Sequence, residues 1–599
     1  MTTPKFSEIQ RLKDEQLEGL PALNVAVLRN IVLDPIAPYL RYLAWQEGFR
    51  ATCRFGEYDA VVQEAVGGAP ELLNAETDAV LVFLRLETLS WSLARNFAGL
   101  KADQVQAEMD RIRGLVDDVL AGIRRQTPAM ILWHGFETPL FPALGVLDDQ
   151  RADGQGAVIA ALNAAIRDAV KKHKSAYFVD LDRSVARVGA GAFFDGRYWH
   201  AAKAPYTLEA VRDIAGEVMK YLRALKGKAR KVLVLDCDGV LWGGVVGEDG
   251  LAGIALGTAH PGSPYYELQQ EALNLYHRGV LLALCSKNET ADVWEVFDKH
   301  PDMVLKREHF AATRINWQDK AANLREIAAE LNVGVDSLVL VDDSDFEVDL
   351  VRRVLPQVAT LHLPPGKASD YRALLAGCGL FDTLTLSEED KARGAMYQAE
   401  AGRRELQAGS GDLESYLKSL DMRLTIQLVD DFALPRVAQL TQKTNQFNLT
   451  TRRYSEEDIR RFADSGSADV IWLRYGDRFG DAGIVGVCVL RYDGEVATFD
   501  SLLLSCRVLG RRVEDAFLAR CLLRARLRGA KTAVGAYRPT PKNAQVKDFY
   551  PARGFAPAGE GADGATYRID LAACDGAVPD CFQIESAIAG AATLGGVTA

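Results

Sequence analysis

The chain has 599 residues, of which 48% are apolar, and a formal net charge of −11. This length predicts several domains, and the negative charge argues against nucleic acid as a main partner. No stretch is apolar enough to cross a bilayer and the polar N-terminus lacks a signal-peptide core, so we expect a cytoplasmic protein without a membrane partner. The nine cysteines form no CxxC pair, which argues against disulfides and zinc sites.

The region before Lys231 alternates strand-like apolar runs with helical stretches. The runs cover residues 79–84, 129–133 and 175–180. This alternation predicts an α/β layer structure. A charged stretch at 225–231 ends the region, which predicts a first domain at 1–228.

A motif near the end of this region carries an aspartate and a histidine. Residues 195–200 read Asp-Gly-Arg-Tyr-Trp-His, which resembles the Asp-x-x-His element of SGNH hydrolases with altered spacing. The serine nucleophile of those enzymes has no counterpart in the corresponding stretch, 27–35. Because an aspartate and a histidine without a nucleophile cannot run triad hydrolysis, we predict a degenerate SGNH-like domain and a hydrogen-bonded structural role for His200. Residual hydrolase activity is the alternative.

Two carboxylates follow the apolar run at 231–235, which predicts a buried parallel strand. Asp236 and Asp238 would face the crevice in which open α/β sheets bind ligands. A carboxylate there can attack phosphorus, and a second one two residues on can exchange protons with the leaving group. We therefore predict Asp236 as the nucleophile and Asp238 as the acid and base.

A second strand end delivers carboxylates to the same crevice. Asp342 and Asp343 follow the apolar run at 337–341. Together with Asp236 and Asp238 they predict a site for a hard cation such as Mg²⁺.

The phosphate-binding groups are predicted from a third strand and a helix. Ser286 follows the apolar run at 280–285, and Lys320 opens a helix-like segment at 320–330. A hydroxyl, neighbouring N–H groups and an ammonium suit phosphate oxygens. Each motif alone could be a turn, a helix cap or solvated surface. The predicted phosphate-binding residues are Ser286, Lys287, Asn288 and Lys320.

The four motifs in this order resemble those of the haloacid dehalogenase (HAD) superfamily. The intervals between the motifs, including 242–277, are too short for a separate lid domain, so a nearly capless site is predicted. An open site suits a macromolecular substrate or closure by another domain, and would enclose a small phosphometabolite poorly.

The last third is predicted to form paired strands at 481–490 and 497–504, followed by a glycine-containing turn and a long helix. N–H groups at a helix start suit a pantetheine phosphate. Together with the segment at 549–555, these features resemble the acyl-coenzyme A fold of GNAT acetyltransferases. The resemblance implies pantetheine binding by Arg507, Gly510, Arg511 and Asn543.

Cys506 precedes this turn at the end of a predicted strand. An adjacent arginine and a helix N-terminus favour a thiolate, so we predict that Cys506 carries the acyl group as a thioester. The alternative is a small buried apolar residue. Cys237 and Cys285, which flank the HAD carboxylates, are rival acyl carriers.

Three stretches, 241–250, 285–288 and 442–450, resemble the FkbH-like proteins, HAD-type enzymes of polyketide pathways. The resemblance runs from about residue 231 to 555 and implies a glyceryl transferase/phosphatase. Such an enzyme takes 1,3-bisphosphoglycerate, removes its phosphates and passes the glyceryl group to the phosphopantetheine thiol of an acyl carrier protein. Two departures stand out: Gly239-Val240 replaces Asn-Thr, and Ser344-Asp345, ahead of Glu347, replaces Asn-Pro.

The predicted fold class is α/β, with three domains. A degenerate SGNH-hydrolase-like domain (1–228) precedes a capless HAD Rossmannoid domain (229–386) and a GNAT-like α+β domain (387–573). A tail at 574–599 is expected to fray. The alternative functions are a simple Mg²⁺-dependent phosphatase of a small phosphometabolite and a non-catalytic scaffold that docks carrier proteins.

Overall fold

The chain divides into two units, Met1–Ser387 and Glu388–Ala599. The computed structural model describes residues 9, 11–386, 403, 406, 412–444, 446–540, 543–561, 564–574 and 576–588. Within these ranges, none of the helices has the length and apolar character needed to span a membrane.

The first sheet of unit Met1–Ser387 has five parallel strands in the order β2-β1-β3-β4-β5. The strands are β1 (Ala22–Arg29), β2 (Arg50–Phe55), β3 (Ala79–Phe83), β4 (Met130–His134) and β5 (Ala176–Val179). The helices are α1 (Ile36–Gln46), α2 (Val61–Gly67), α3 (Leu86–Leu89), α4 (Trp91–Arg95), α5 (Ala102–Gln126), α6 (Gln155–Lys171), α7 (Leu181–Val188), α8 (Ala190–Phe193), α9 (Gly196–Ala202) and α10 (Leu208–Leu225). Apolar clusters cover both faces of the sheet, and β3 and β4 are buried along their whole length. The predicted α/β layers are confirmed, since parallel strands covered on both faces carry continuous apolar runs.

The second sheet also has five parallel strands, in the order β10-β9-β6-β7-β8. They are β6 (Val232–Leu235), β7 (Leu281–Ser286), β8 (Phe310–Ile315), β9 (Leu338–Asp342) and β10 (Ala359–His362). The helices are α11 (Val246–Gly253), α12 (Ser263–His277), α13 (Thr290–Lys299), α14 (Lys320–Glu330), α15 (Asp345–Val354) and α16 (Tyr371–Gly377). Because β7 and β9 lie on either side of β6, the three predicted motifs that follow these strands lie next to one another at one edge of the sheet. Helices α11 and α12 fill the interval between β6 and β7, which leaves no room there for a separate lid domain.

A buried ion pair connects the layers of the two parallel sheets. Arg223, on α10, donates through Nε to Glu47 at 2.9 Å and through Nη1 to the carbonyl oxygen of Gly379 at 2.7 Å. Both charged side chains are buried. The end of α10 is thereby fixed to the segment after α16.

Unit Glu388–Ala599 contains one mixed sheet, the third sheet, with the path β17-β18-β16-β15-β14-β13-β11-β19 and β12 paired to β15. The strands are β11 (Met422–Leu428), β12 (Phe447–Asn448), β13 (Ala468–Asp477), β14 (Gly480–Asp493), β15 (Val496–Leu504), β16 (Thr532–Tyr537), β17 (Ala556–Gly561), β18 (Gly564–Asp570) and β19 (Phe582–Ser586). The helices are α17 (Leu413–Ser419), α18 (Leu434–Lys443), α19 (Glu456–Asp464) and α20 (Val513–Leu527). The predicted pairing of 481–490 with 497–504 and the long helix that follows are confirmed.

The predicted fraying from Cys574 is wrong for part of that stretch. Strand β19 pairs in parallel with β11, and Ile588 is buried in the core of the unit. The edge of β11 supplies the main-chain partners that a lone segment lacks, so these residues are ordered by pairing.

Candidate functional site

The carboxyl end of the second sheet contains a cavity of about 510 Å³. Asp236 follows β6, Ser286 ends the neighbouring strand β7 and Asp343 follows β9, the strand on the other side. The cavity is lined by Asp236, Asp238, Gly239, Gly244, Val245, Tyr265, Ser286, Lys287, Asn288, Lys320, Asp343, Ser344, Glu347, Pro365, Gly366 and Tyr371. The predicted nucleophile, acid–base residue and phosphate-binding residues therefore surround one space.

Lys320 is buried among carboxylates, with 2% of its surface exposed. Its Nζ lies 2.8 Å from Oδ2 of Asp236 and also donates to Oδ2 of Asp342. Asp319 caps the start of α14 by accepting from the N–H groups of the first turn, which fixes Lys320 at the beginning of the helix. Burial alone would lower the pKa of Lys320, but Asp236 and Asp342 outweigh it and raise that pKa above its ordinary value. The ammonium therefore stays charged and holds the two carboxylates together.

Three carboxylates form a group that fits a metal ion. One oxygen each from Asp236, Asp342 and Asp343 lies within 4.8 Å of the others. Burial raises the pKa of Asp342 and of Asp343, and repulsion from Asp236 adds to the effect. Several carboxylates confined beside a single ammonium favour a further cation, and an all-oxygen donor set suits Mg²⁺.

Gly239 leaves the space in which the carboxylate of Asp343 lies. Its φ of +68° is in the left-handed region, and a Cβ atom added there would clash with that carboxylate. The glycine that replaces Asn at this position therefore leaves room for Asp343, one of the candidate metal ligands.

Asp238, the fourth predicted metal ligand, is not in this carboxylate group. Its Oδ1 accepts from Nε1 of Trp242 at 2.7 Å and from the N–H of Val246 at 3.1 Å, and its Oδ2 accepts from Nδ2 of Asn288 at 2.9 Å. Three donors thus fix the orientation of the carboxylate at the cavity wall. This geometry suits a residue that exchanges a proton with bound substrate.

The predicted phosphate-binding residues have different partners. Ser286 is buried and accepts from Asn288 at 3.2 Å. Lys287 donates to Glu347 at 2.6 Å. Glu347 lies on the first turn of α15, and sequence reasoning gave it no role, although it follows the Asp342-Asp343 motif closely.

The two rival acyl-carrying cysteines are fully buried. Burial raises the pKa of Cys285 to about 12 and the pKa of Cys237 well above its ordinary value. Neither residue lines the cavity. Both thiols therefore stay protonated and are poor nucleophiles.

The predicted pantetheine turn connects β15 to α20. Cys506 starts a short 3-10 helix, but its side chain lies outside the described part of the chain. Gly510 has a φ of +77°. Arg511 is buried, donates to the carbonyl oxygen of Arg507 at 2.7 Å and lies 5.7 Å from the ring centre of Tyr475. Its guanidinium is therefore directed into the unit, where it supports the turn from within.

Asn543 is also buried. Its Nδ2 donates to the carbonyl oxygens of Asn448 and Arg538, both at 2.9 Å, and its Oδ1 accepts from the N–H of Thr540 at 2.7 Å. These bonds connect the 442–450 segment to the chain beyond β16. The amide is thus used to position two loops, and a ligand could reach it only after they move.

The first sheet assembles no catalytic triad among its described residues. Asp195 caps α9 by accepting from the N–H groups of Arg197 and Tyr198. His200 is exposed, which does not support the predicted hydrogen-bonded structural role. At the position expected for a serine nucleophile, Asn30 exchanges hydrogen bonds with the main chain of Arg85.

A solved structure resembles a large part of this chain. It is the N-terminal part of the protein BF1531 from Bacteroides fragilis, containing a phosphatase domain complexed with Mg. The two are 25% identical, and the match covers 64% of this chain and 100% of that chain with a TM-score of 0.56. The likeness supports a phosphatase domain in this chain, and the ion predicted from the sequence is the one in that structure.

Acetyltransferase structures match a smaller part. The ribosomal-protein-S18-alanine N-acetyltransferase from Escherichia coli is 17% identical, and the match covers 25% of this chain and 94% of that chain with a TM-score of 0.20. The GNAT domain of S. lividans PAT is 16% identical, with coverages of 24% and 89% and a TM-score of 0.21. These TM-scores are too low to support a conclusion about this chain. No family model and no curated protein matches the sequence.

Proposed function

We propose that this chain is an FkbH-like glyceryl transferase/phosphatase that acts in polyketide biosynthesis. It would release phosphate from 1,3-bisphosphoglycerate and load the glyceryl unit onto the phosphopantetheine thiol of an acyl carrier protein. The observation that carries the phosphatase half is the buried Lys320 between Asp236 and Asp342, beside Asp343. The likeness to a phosphatase domain complexed with Mg supports it.

In the phosphatase step, Asp236 attacks the phosphorus of the 3-phosphate. The bond from phosphorus to the glyceryl oxygen breaks, and Asp238 gives that oxygen a proton. Asp238 then takes a proton from the water that hydrolyses the aspartyl phosphate, which releases inorganic phosphate and restores Asp236. Mg²⁺ held by Asp236, Asp342 and Asp343 would offset the charge of the phosphoryl oxygens. Ser286 and Lys320 would hold those oxygens.

In the transfer step, the thiolate of Cys506 attacks the carbonyl carbon of the acyl phosphate. The carbon–oxygen bond to phosphate breaks, and a thioester forms. The thiol of the carrier arm then attacks this thioester and frees Cys506. Cys237 and Cys285 are poor candidates because burial keeps their thiols protonated.

The phosphopantetheine arm is proposed to bind at the turn before α20. Main-chain N–H groups at Gly510 and the side chain of Arg507 would contact the arm's phosphate. Arg511 and Asn543 would act indirectly, since both are buried and hold the surrounding loops.

Intact-mass analysis tests the transfer. The enzyme with Mg²⁺ and 1,3-bisphosphoglycerate should gain a glyceryl-sized adduct that passes to an added phosphopantetheinylated carrier protein. Cys506→Ala should abolish both adducts, whereas the matched control Cys581→Ala should keep them. An adduct on the enzyme in the Cys506→Ala variant would place the relay at another residue.

A simple Mg²⁺-dependent phosphatase of a small phosphometabolite is the second candidate. The cavity of about 510 Å³ is compatible with it, because this volume is typical of small-molecule sites. In that case phosphate release would not respond to carrier protein, and neither protein would gain an acyl adduct.

A further inference from the structure

Glu347 is a buried carboxylate of the cavity wall that the proposed reaction does not use. Its exposed fraction is 6%, and it lines the same cavity as Asp236. Oε1 accepts from Nζ of Lys287 at 2.6 Å, whereas Oε2 is buried without a hydrogen-bond partner among the described residues. A buried acceptor without a donor costs free energy, and a ligand bound in the cavity that Glu347 lines can supply the missing donor.

The Lys287–Glu347 pair lies across the crevice. Glu347 is on the first turn of α15, the helix that follows β9. Ser344 caps this helix by accepting from the main-chain N–H of Glu347. Lys287 directly follows β7. Because β9 and β7 flank β6, the ion pair joins the two sides of the crevice next to the end of β6, where Asp236 lies. The pair lines the same cavity as Asp236, so a substrate whose phosphate is held at Asp236 would share this space with it.

The two groups match the hydrogen-bonding capacity of an alcohol. A hydroxyl group can donate to Oε2 of Glu347 and accept from Nζ of Lys287, whose three donors include one used by Glu347. A second anionic group fits less well, since Glu347 already balances the charge of Lys287 and other carboxylates line the crevice. We infer that Glu347 and Lys287 bind a hydroxyl group on the carbon skeleton of the phosphorylated substrate. This inference rests on the proposed function and assigns recognition of the substrate's hydroxyl group to these two residues.

Two phosphates that differ in one hydroxyl test this site. 3-Phosphoglycerate and the phosphate ester of 3-hydroxypropionate share a phosphate and a carboxylate, and the second lacks the 2-hydroxyl group. With Mg²⁺, the wild-type enzyme should prefer the hydroxylated compound by about 10- to 150-fold in kcat/KM, the range for a hydrogen bond to a charged group. Glu347→Ala should bring the ratio near one, mainly because the hydroxylated compound then binds less tightly and its KM rises. Glu347→Gln should keep part of the ratio because its amide oxygen still accepts.

The control is Glu326→Ala, which removes an exposed carboxylate paired with Arg314 outside the cavity. It should keep the wild-type ratio. Equal or absent turnover of the two compounds by wild type, or an unchanged ratio in Glu347→Ala, would overturn the hydroxyl site. Release of phosphate from p-nitrophenyl phosphate in the same experiment would leave the proposed phosphatase function standing, whereas no release from any of these compounds would overturn both.

Discussion

Replacing Lys320 by methionine tests whether its ammonium holds the candidate site together. The change keeps a long unbranched side chain, shorter by one atom, and removes the charge between Asp236 and Asp342. Because both carboxylates then face each other in a buried space, Lys320→Met should lower the free energy of unfolding by about 3 to 5 kcal/mol in the absence of divalent ions. At about 2.1 cal/mol/K of unfolding entropy per residue, this loss lowers the melting temperature of a cooperative unit spanning Met1–Ser387 by about 5 °C.

The assay is thermal unfolding followed by circular dichroism, first with a chelator and then with Mg²⁺. Mg²⁺ at about 100 times its Kd should restore about 2.7 kcal/mol if it binds only the folded chain. Lys299→Met, which removes an exposed ion pair with Glu295, is the matched control and should not move the transition. If Lys320→Met and wild type had the same melting temperature in chelator, the proposed role of the ammonium would be refuted.

Two further predictions concern a buried histidine and a glycine. Burial lowers the pKa of His134 from 6.5 to about 3, so the unfolded chain takes up this proton first and stability is lost as the pH falls from 6.5 toward 3. Between pH 7 and 5, wild type should lose about 2 kcal/mol more than His134→Phe in urea unfolding, and equal losses would be inconsistent with this shift. Gly239→Ala should displace Asp343 and thereby weaken Mg²⁺ binding measured by calorimetry. The control Gly366→Ala should not, because the added Cβ meets open space there at a similar positive φ. Equal Mg²⁺ affinities in the two variants would argue against the clash.

The sequence was most informative where a motif directly follows a buried strand. Asp236, Ser286 and Asp342 lie at the ends of apolar runs, and parallel strands deliver such positions to one sheet edge. The bounds of these three strands differ from the predicted runs by about a residue. Lys320 could be placed as well, since an aspartate cap marks the start of its helix.

Contacts between distant segments were not predictable in the same way. The bond from Lys287 to Glu347 joins positions 60 residues apart, and no local pattern pairs them. The same holds for the burial of Arg511 and Asn543, which the resemblance had assigned to a ligand. Helix α11 was not predicted, because Gly247, Gly250 and Gly253 give its sequence the composition of a turn, and Gly250 has a non-helical φ of 65°.

Phosphate release by Asp236→Asn is the most direct test of the central claim, that Asp236 is the nucleophile of a phosphatase site. With Mg²⁺ and 3-phosphoglycerate or p-nitrophenyl phosphate, wild type and the exposed control Asp298→Asn should release phosphate at equal rates. Asp236→Asn should be at least about a thousandfold slower while its circular dichroism spectrum is unchanged. Wild-type rates in Asp236→Asn would contradict the account.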